Sequence, residues 1–195
     1  MLSIIIATRE SERALVRTLA VLVAGVAAGA VREVIVADAE SKDATADVAD
    51  LAGCRILVSP APLAARLREA AQLARAQWLM FLRPGTVLDA TWVDEIGLFI
   101  DHDDRQETIR AQAAVFRPGS SATSPRPLLS EALSLLRLAL GVTPRPEQGL
   151  LIPKQLYQQV GGHRDGAPDP ETDLVRRLGR RRIVMLRSGV VSVIR

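Results

Sequence analysis

The stretch Glu33-Val34-Ile35-Val36-Ala37-Asp38-Ala39-Glu40-Ser41-Lys42-Asp43-Ala44-Thr45 opens with an unbroken apolar run and stops on an acid. An apolar run without alternation is the pattern of a strand buried on both faces, as in a parallel sheet covered by helices. A polar turn, 38–43, follows it, and either Ser41 or Asp43 can cap a helix over Ala44–Leu51. Ligands of open α/β sheets sit at the carboxyl ends of the strands, so Asp38 is the first candidate for a functional side chain.

The same grammar repeats on either side. Leu2–Ala7 is an Ile-rich strand, and Ser11 to about Ala28 has Leu15, Leu19, Leu22 and Val26 at helical spacing. Downstream, Arg55–Val58 predicts a third strand. Pro62 then opens a helix to about Ala76, with Leu63, Leu67, Ala70 and Ala74 on one side and Arg66, Arg68 and Glu69 elsewhere. Trp78–Leu82 is a fourth strand, and it stops on a base, Arg83, followed by Pro84-Gly85. Four strands alternating with three helices predict an α/β fold with a doubly wound, mostly parallel sheet and flanking helices. The opposed strand ends sketch a site, with Asp38 to read a ligand by hydrogen bond and Arg83 to meet negative charge.

The second half is less regular. Thr91 can cap a helix Trp92–Ile100, after which Asp101-His102-Asp103-Asp104 reads as hydrated. Thr108–Phe116 reads as a strand, and Arg117–Pro127 as a loop. Leu128–Leu140 is a strongly apolar helix, packed in the core or facing a membrane surface or partner. Gly149–Ile152 is a short strand, Lys154–Val160 a helix stopped by Gly161-Gly162, and Pro170–Leu178 a helix stopped by Gly179. Arg182–Leu186 and Val190–Ile194 read as two closing strands.

A length of 195 residues suits one domain. The composition, 48% hydrophobic and 24% charged, is that of a globular chain rather than a disordered one. Cys54 is the single cysteine, so no internal disulfide or cysteine cluster can form, and a reducing compartment is expected. The N-terminus lacks a basic segment before its apolar run, unlike a signal peptide. The longest uncharged run, 18–31, is shorter than the roughly 18 to 20 residues that span a bilayer. A cytoplasmic protein is expected. After Asp173 no acid follows, whereas Arg176, Arg177, Arg180, Arg181, Arg182, Arg187 and Arg195 do. These are either a solvated, phosphate-facing set or a patch for anionic membrane at the inner-membrane periphery. Nucleic acid is not expected, because no stacking aromatics are interleaved with the arginines.

Walker-type and GxGxxG loops are absent after the first strand, as is a Gly-x-Ser-x-Gly elbow. What the chain has instead is an ordered set of segments: Ser3–Glu10, Glu33–Thr45, Ala65-Arg66, Leu79–Leu82, Glu147–Lys154, Tyr157–His163 and Glu171–Leu178. In that order they resemble the family 2 glycosyltransferases of the GT-A fold, the nucleotide-diphospho-sugar transferase-like architecture, over nearly the whole chain. The short bacterial members are the most similar.

The resemblance implies a nucleotide-diphosphate sugar donor and an acceptor hydroxyl that the sequence does not identify. Residues 1–89 would form the nucleotide-binding half and residues 90–195 the acceptor-side half of one domain. It places Thr8 and Glu10 at the base and ribose, Asp38 at a base N–H, and Arg66 near the diphosphate. The alternatives are that Glu10 and Asp43 cap helices and that Arg66 is solvated.

Two positions depart from the family pattern. The metal-binding acid expected after the Leu-Phe-Leu strand is Arg83, so the sequence requires no cofactor, and a divalent cation, Mn or Mg, lacks its usual ligand. An arginine cannot ligate a metal, but it stabilises phosphate charge through bidentate hydrogen bonds. Either transfer is metal-independent, with Arg83 and Arg66 replacing the ion, or donor chemistry has been lost. The family's Glu-Asp is Pro170-Glu171 here, making Glu171 the candidate general base, with Asp169, Asp173 and Glu147 as substitutes. By resemblance the reaction is inverting. The alternative is a catalytically inactive GT-A domain that binds a nucleotide or a partner.

Overall fold

The computed structural model describes residues 1–105, 111–119 and 144–192. The Leu128–Leu140 helix, Arg195 and most of the Arg117–Pro127 loop lie outside the described residues.

The first half runs β1 (Leu2–Thr8), α1 (Glu12–Ala27), β2 (Val31–Asp38), α2 (Thr45–Leu51), β3 (Arg55–Val58), α3 (Leu63–Leu73), β4 (Trp78–Leu82) and β5 (Thr86–Leu88). It continues as α4 (Trp92–Arg105), β6 (Ala113–Pro118), a 3-10 turn (Pro146–Gln148) and β7 (Leu150–Pro153). It closes with α5 (Lys154–Gln159), α6 (Pro170–Leu178), a second 3-10 turn (Arg180–Arg182) and β8 (Ile183–Ser192). Among the described residues the strands form one mixed sheet in the order β3-β2-β1-β4-β7-β6-β8-β5. The β3-β2-β1-β4 part is parallel, and β7 joins β4 antiparallel.

Both faces of this sheet are covered. Ile4, Ile6, Met80 and Leu82 point to the side of Leu15, Leu22 and Trp92 from α1 and α4. Ile5, Leu79 and Phe81 point to the side of Leu67, Leu156 and Leu174 from α3, α5 and α6. This is the period-2 alternation of a strand, with an apolar residue on each beat. Burying each large aliphatic side chain contributes about 1.5–3 kcal/mol.

Several expectations change in detail. Thr18 and Gly25, rather than Leu19 and Val26, complete the buried stripe of α1, and Val26 is exposed. The causes are long-range. Thr18 Oγ1 accepts the Gly85 N–H at 2.9 Å, and Gly25 lies under the Trp92 ring. The acidic 101–104 segment continues α4 instead of ending it. β5 was not anticipated, and the two closing strands are one, β8. Between the two expected strands, the Glu95 carboxylate takes the Arg187 and Ser188 N–H groups and Asp89 takes that of Gly189. Those carboxylates hold the segment extended beside β6 and β5. Among the described residues no helix is long and apolar enough to cross a membrane.

Candidate active site

The chain leaves β1 for β2 and β3 on one side and returns to β4 on the other, so the strand order reverses between β1 and β4. Crevices at such a switch point are where α/β sheets bind ligands. An open cleft of about 500 Å³ lies there, lined among others by Thr8, Arg9, Glu10, Arg66, Arg83 and Glu171. Three cations and two anions on that lining leave an excess of positive charge.

At the β1–β2 end, Thr8 pairs with Asp38 in register. Thr8 Oγ1 donates to Asp38 Oδ1 at 2.7 Å, Ser41 Oγ donates to the same oxygen at 2.6 Å, and the Ser41 N–H donates to Oδ2 at 2.7 Å. Burial alone would raise the Asp38 pKa, but the Ser41 and Thr8 hydrogen bonds and the Arg66 charge lower it. Asp38 is only 1% exposed, so it ties the 39–43 loop to the sheet. Glu10 sits in the left-handed region, with φ 48°. Its carboxylate accepts the N–H groups of Lys42 at 2.7 Å and Asp43 at 3.2 Å. Asp43 in turn accepts the first amide of α1, from Glu12 at 3.1 Å, and that of Thr45 at 3.1 Å. The capping expected of Asp43 is thus present at two helices.

Arg66 is not a solvated helix residue. It is 7% exposed on the inner face of α3. Its Nε donates to Ala61 O at 3.1 Å, and its Nη1 to the carbonyls of Thr8, at 3.2 Å, and Ala37. Those carbonyls lie at the ends of β1 and β2, so Arg66 fixes a positive charge at the floor of the cleft.

Arg83 joins three elements. Leu82 pairs with Ile6, so Arg83 emerges beside the end of β1, and alternation sends its side chain to the α3/α6 face. β7 runs antiparallel to β4 with Leu150 opposite Phe81, which brings Glu147 to the same end. On α6, Glu171 extends the buried Leu174, Val175 and Leu178 stripe at i, i+3, i+4, i+7 spacing, so it points inward. Arg83 Nε and Nη2 donate to Glu171 Oε2 at 2.8 and 2.5 Å, and Nη1 donates to Glu147 Oε1 at 2.8 Å. Burial holds the Glu171 carboxyl above the usual range, and Asp169 and Glu147 push the same way against the opposing effect of Arg83. Asp169 is committed to the cap of α6. Its Oδ1 accepts from Glu171 N at 3.2 Å and Thr172 N at 3.1 Å.

Sequence reasoning gave Arg9 and His163 no role and offered Ser41 only as a cap of α2, whereas its hydroxyl donates to Asp38 instead. Ser41 stood within the resemblance segment as the serine after the second strand. His163 is buried behind Glu171, its Nδ1 2.9 Å from the Tyr157 hydroxyl and its ring edge-on to Phe81. The Tyr157 hydroxyl oxygen also accepts the backbone N–H of His163 at 3.2 Å. The signal that the sequence offers for it is its place at the end of the Tyr157–His163 segment of the family resemblance.

The sequence model of glycosyl transferase family 2 matches residues 3–105, more than half of the chain. The chain belongs to glycosyl transferase family 2. Glucosyl-3-phosphoglycerate synthase from Mycobacterium tuberculosis, solved with Mn2+, UDP and glucosyl-3-phosphoglycerate, has a similar fold. Its TM-score is 0.68 at 18% identity, over 100% of this chain and 72% of that one. S. aureus TarS 1-349 in complex with UDP gives a TM-score of 0.69 at 13% identity, over 95% of this chain and 57% of that one. TarS 1-349 with UDP-GlcNAc gives 0.65 at 15% identity, over 95% and 55%. These likenesses establish the GT-A fold. Comparison with curated protein sequences gives no match.

The synthase structure is a complex with both Mn2+ and UDP, which raises the question of whether this member fits such an ion. At the end of β4, where the family resemblance implies a metal-binding acid, the Arg83 guanidinium offers no lone pair to a metal. It draws Glu171 and Glu147 onto itself, and no group of three or more His, Cys, Asp or Glu side chains suited to a metal is found among the described residues. These residues do not fit a divalent cation at the end of β4.

Proposed function

We propose that this family 2 member transfers a sugar from a nucleoside-diphosphate donor to an acceptor hydroxyl without a divalent cation. The observation that carries the reading is Arg83 at the head of a cleft already furnished with Arg66 and Arg9. The diphosphate lies along these guanidiniums, which neutralise the charge that develops as the leaving group departs. The nucleoside lies towards Thr8, Glu10 and the 39–43 loop. Asp38 serves that side by holding the 39–43 loop in place through Ser41.

Glu171 acts as the base. The acceptor oxygen attacks the anomeric carbon, the bond from that carbon to the phosphate oxygen breaks with its electron pair leaving on the nucleoside diphosphate, and the hydroxyl proton passes to Glu171. A carboxyl held above its ordinary pKa is suited to that transfer. The outcome is inversion. Residues 1–89 supply the donor side and residues 90–195 the acceptor side.

The experiment is donor turnover in EDTA, using UDP- and GDP-sugars and following released nucleotide. Turnover by the wild type that Glu171→Gln lowers by roughly a hundredfold or more supports the reading. Nucleotide binding with no turnover, unchanged by Glu171→Gln, would establish an inactive binding domain instead.

A further inference from the structure

The Arg83 guanidinium is asked to do two things at once. It faces the cleft, where the donor diphosphate is to lie, and its Nε, Nη1 and Nη2 are each already hydrogen-bonded to a carboxylate. Both bonds to Glu171 fall on Oε2, and the cation they carry favours the ionised carboxylate and so makes Glu171 a weaker base. The cleft lining includes both residues.

Resting on the reading just given, we propose that Arg83 is an exchangeable partner. It holds Glu171 in an ion pair while the cleft is empty, and an arriving diphosphate takes over the guanidinium and sets Glu171 free as a base. The base is then armed by donor binding, and without donor it is held out of action. Glu147, the second and more exposed anchor of Arg83, competes with the diphosphate for the same cation.

Geometry supports the exchange. The Glu171 side chain is 14% exposed and that of Glu147 36%, so Glu171 has little water to replace Arg83 when the pair opens. Around Glu171 the charged and titratable groups are Arg83 at the end of β4, Glu147 and Arg145 at the 3-10 turn, Asp169 at its own helix cap, His163 behind it, and Arg9, Glu10 and Arg66 on the cleft lining. Of the cations, Arg83 is the one hydrogen-bonded to the Glu171 carboxylate, so its transfer to a diphosphate makes Glu171 the stronger base.

Calorimetry of UDP, GDP and inorganic pyrophosphate tests this on the full chain. Glu171→Gln, which keeps the side-chain shape and removes the competing charge, should bind about tenfold more tightly than the wild type. Glu147→Gln should tighten binding by about two- to fivefold, as for removal of a partly exposed competitor. Asp169→Asn retains the helix cap and removes a charge in the same neighbourhood without touching the Arg83 hydrogen bonds. It should therefore tighten binding less than Glu171→Gln. Equal tightening by Asp169→Asn and Glu171→Gln, or no tightening by Glu171→Gln, would overturn the exchange while leaving nucleotide binding intact. Absence of binding by all three probes would overturn the underlying reading as well.

Discussion

Arg83 Nη2 lies 2.5 Å from Glu171 Oε2, so the end of the fourth strand is bonded to the first turn of the last helix across 88 positions of sequence. Replacing Arg83 by Ala leaves Glu171 half-encased without a cation. A stability loss of about 1–2 kcal/mol is expected, less than for a fully buried pair because the Arg83 side chain is one-third exposed. Arg83→Lys should recover part of that loss, since it restores the charge without the planar fork. Urea denaturation of the two variants checks the ordering.

The buried imidazole of His163 sets a pH dependence. Burial, reinforced by Arg177 and Arg68, pushes its pKa down to about 3 from an ordinary 6.5. Below pH 6.5 the unfolded chain binds a proton that the folded chain refuses, so stability falls as the pH falls. From neutrality to pH 5 the loss is about 2 kcal/mol. The same denaturation series on His163→Phe should lack that increment; an identical pH profile would contradict it.

Two glycines with the same backbone angle should differ. Gly149 and Gly29 both have φ +69°, but a Cβ on Gly149 would fall 2.8 Å from Leu82 Cδ2, whereas one on Gly29 meets nothing within 4 Å. Gly29→Ala is expected to cost about 1 kcal/mol from backbone strain, and Gly149→Ala about 2–3 kcal/mol from strain plus overpacking. Equal melting temperatures for the two variants would count against the packing of the 3-10 turn under β4.

Asp38 accepts three hydrogen bonds at the end of β2. Asp38→Ala leaves Thr8 and Ser41 without their acceptor and should cost about 2–3 kcal/mol, with nucleotide binding weakened through the loosened 39–43 loop. The lowered pKa places the carboxylate's stabilisation above pH 3.8, and it fades as the pH falls below that value. The loss of the Asp38 increment begins at pH 3.8, where that of His163 is still running down towards about pH 3, so the pH profiles of Asp38→Ala and His163→Phe, each set against the wild type, separate the two groups.

Much of this site is legible because the strands that end in it are continuous apolar runs. Ile4–Ile6, Val34–Ala37 and Leu79–Leu82 read directly as doubly buried strands, and their next polar residues are Thr8, Asp38 and Arg83. The helix α6 ends at Leu178 as its following glycine indicates. What escaped is set by partners far along the chain. Arg66 looks like any helix-surface arginine until the carbonyls of Thr8 and Ala37 are brought beneath it. β8 looks broken at Ser188-Gly189 until Glu95 and Asp89 arrive to hold its amides. The ion pair of Arg83 with Glu171 and Glu147 joins three residues that the sequence singles out separately, and local pattern carries no signal for their meeting.

The most direct test of the account is calorimetry of UDP and GDP binding to the wild type and Arg83→Ala, each in EDTA and in Mn2+. The account predicts that one of the nucleotides binds the wild type with a Kd that is the same within about twofold in both solutions, and that Arg83→Ala weakens it by roughly tenfold or more. Binding that requires Mn2+, or that survives Arg83→Ala unchanged, would contradict it.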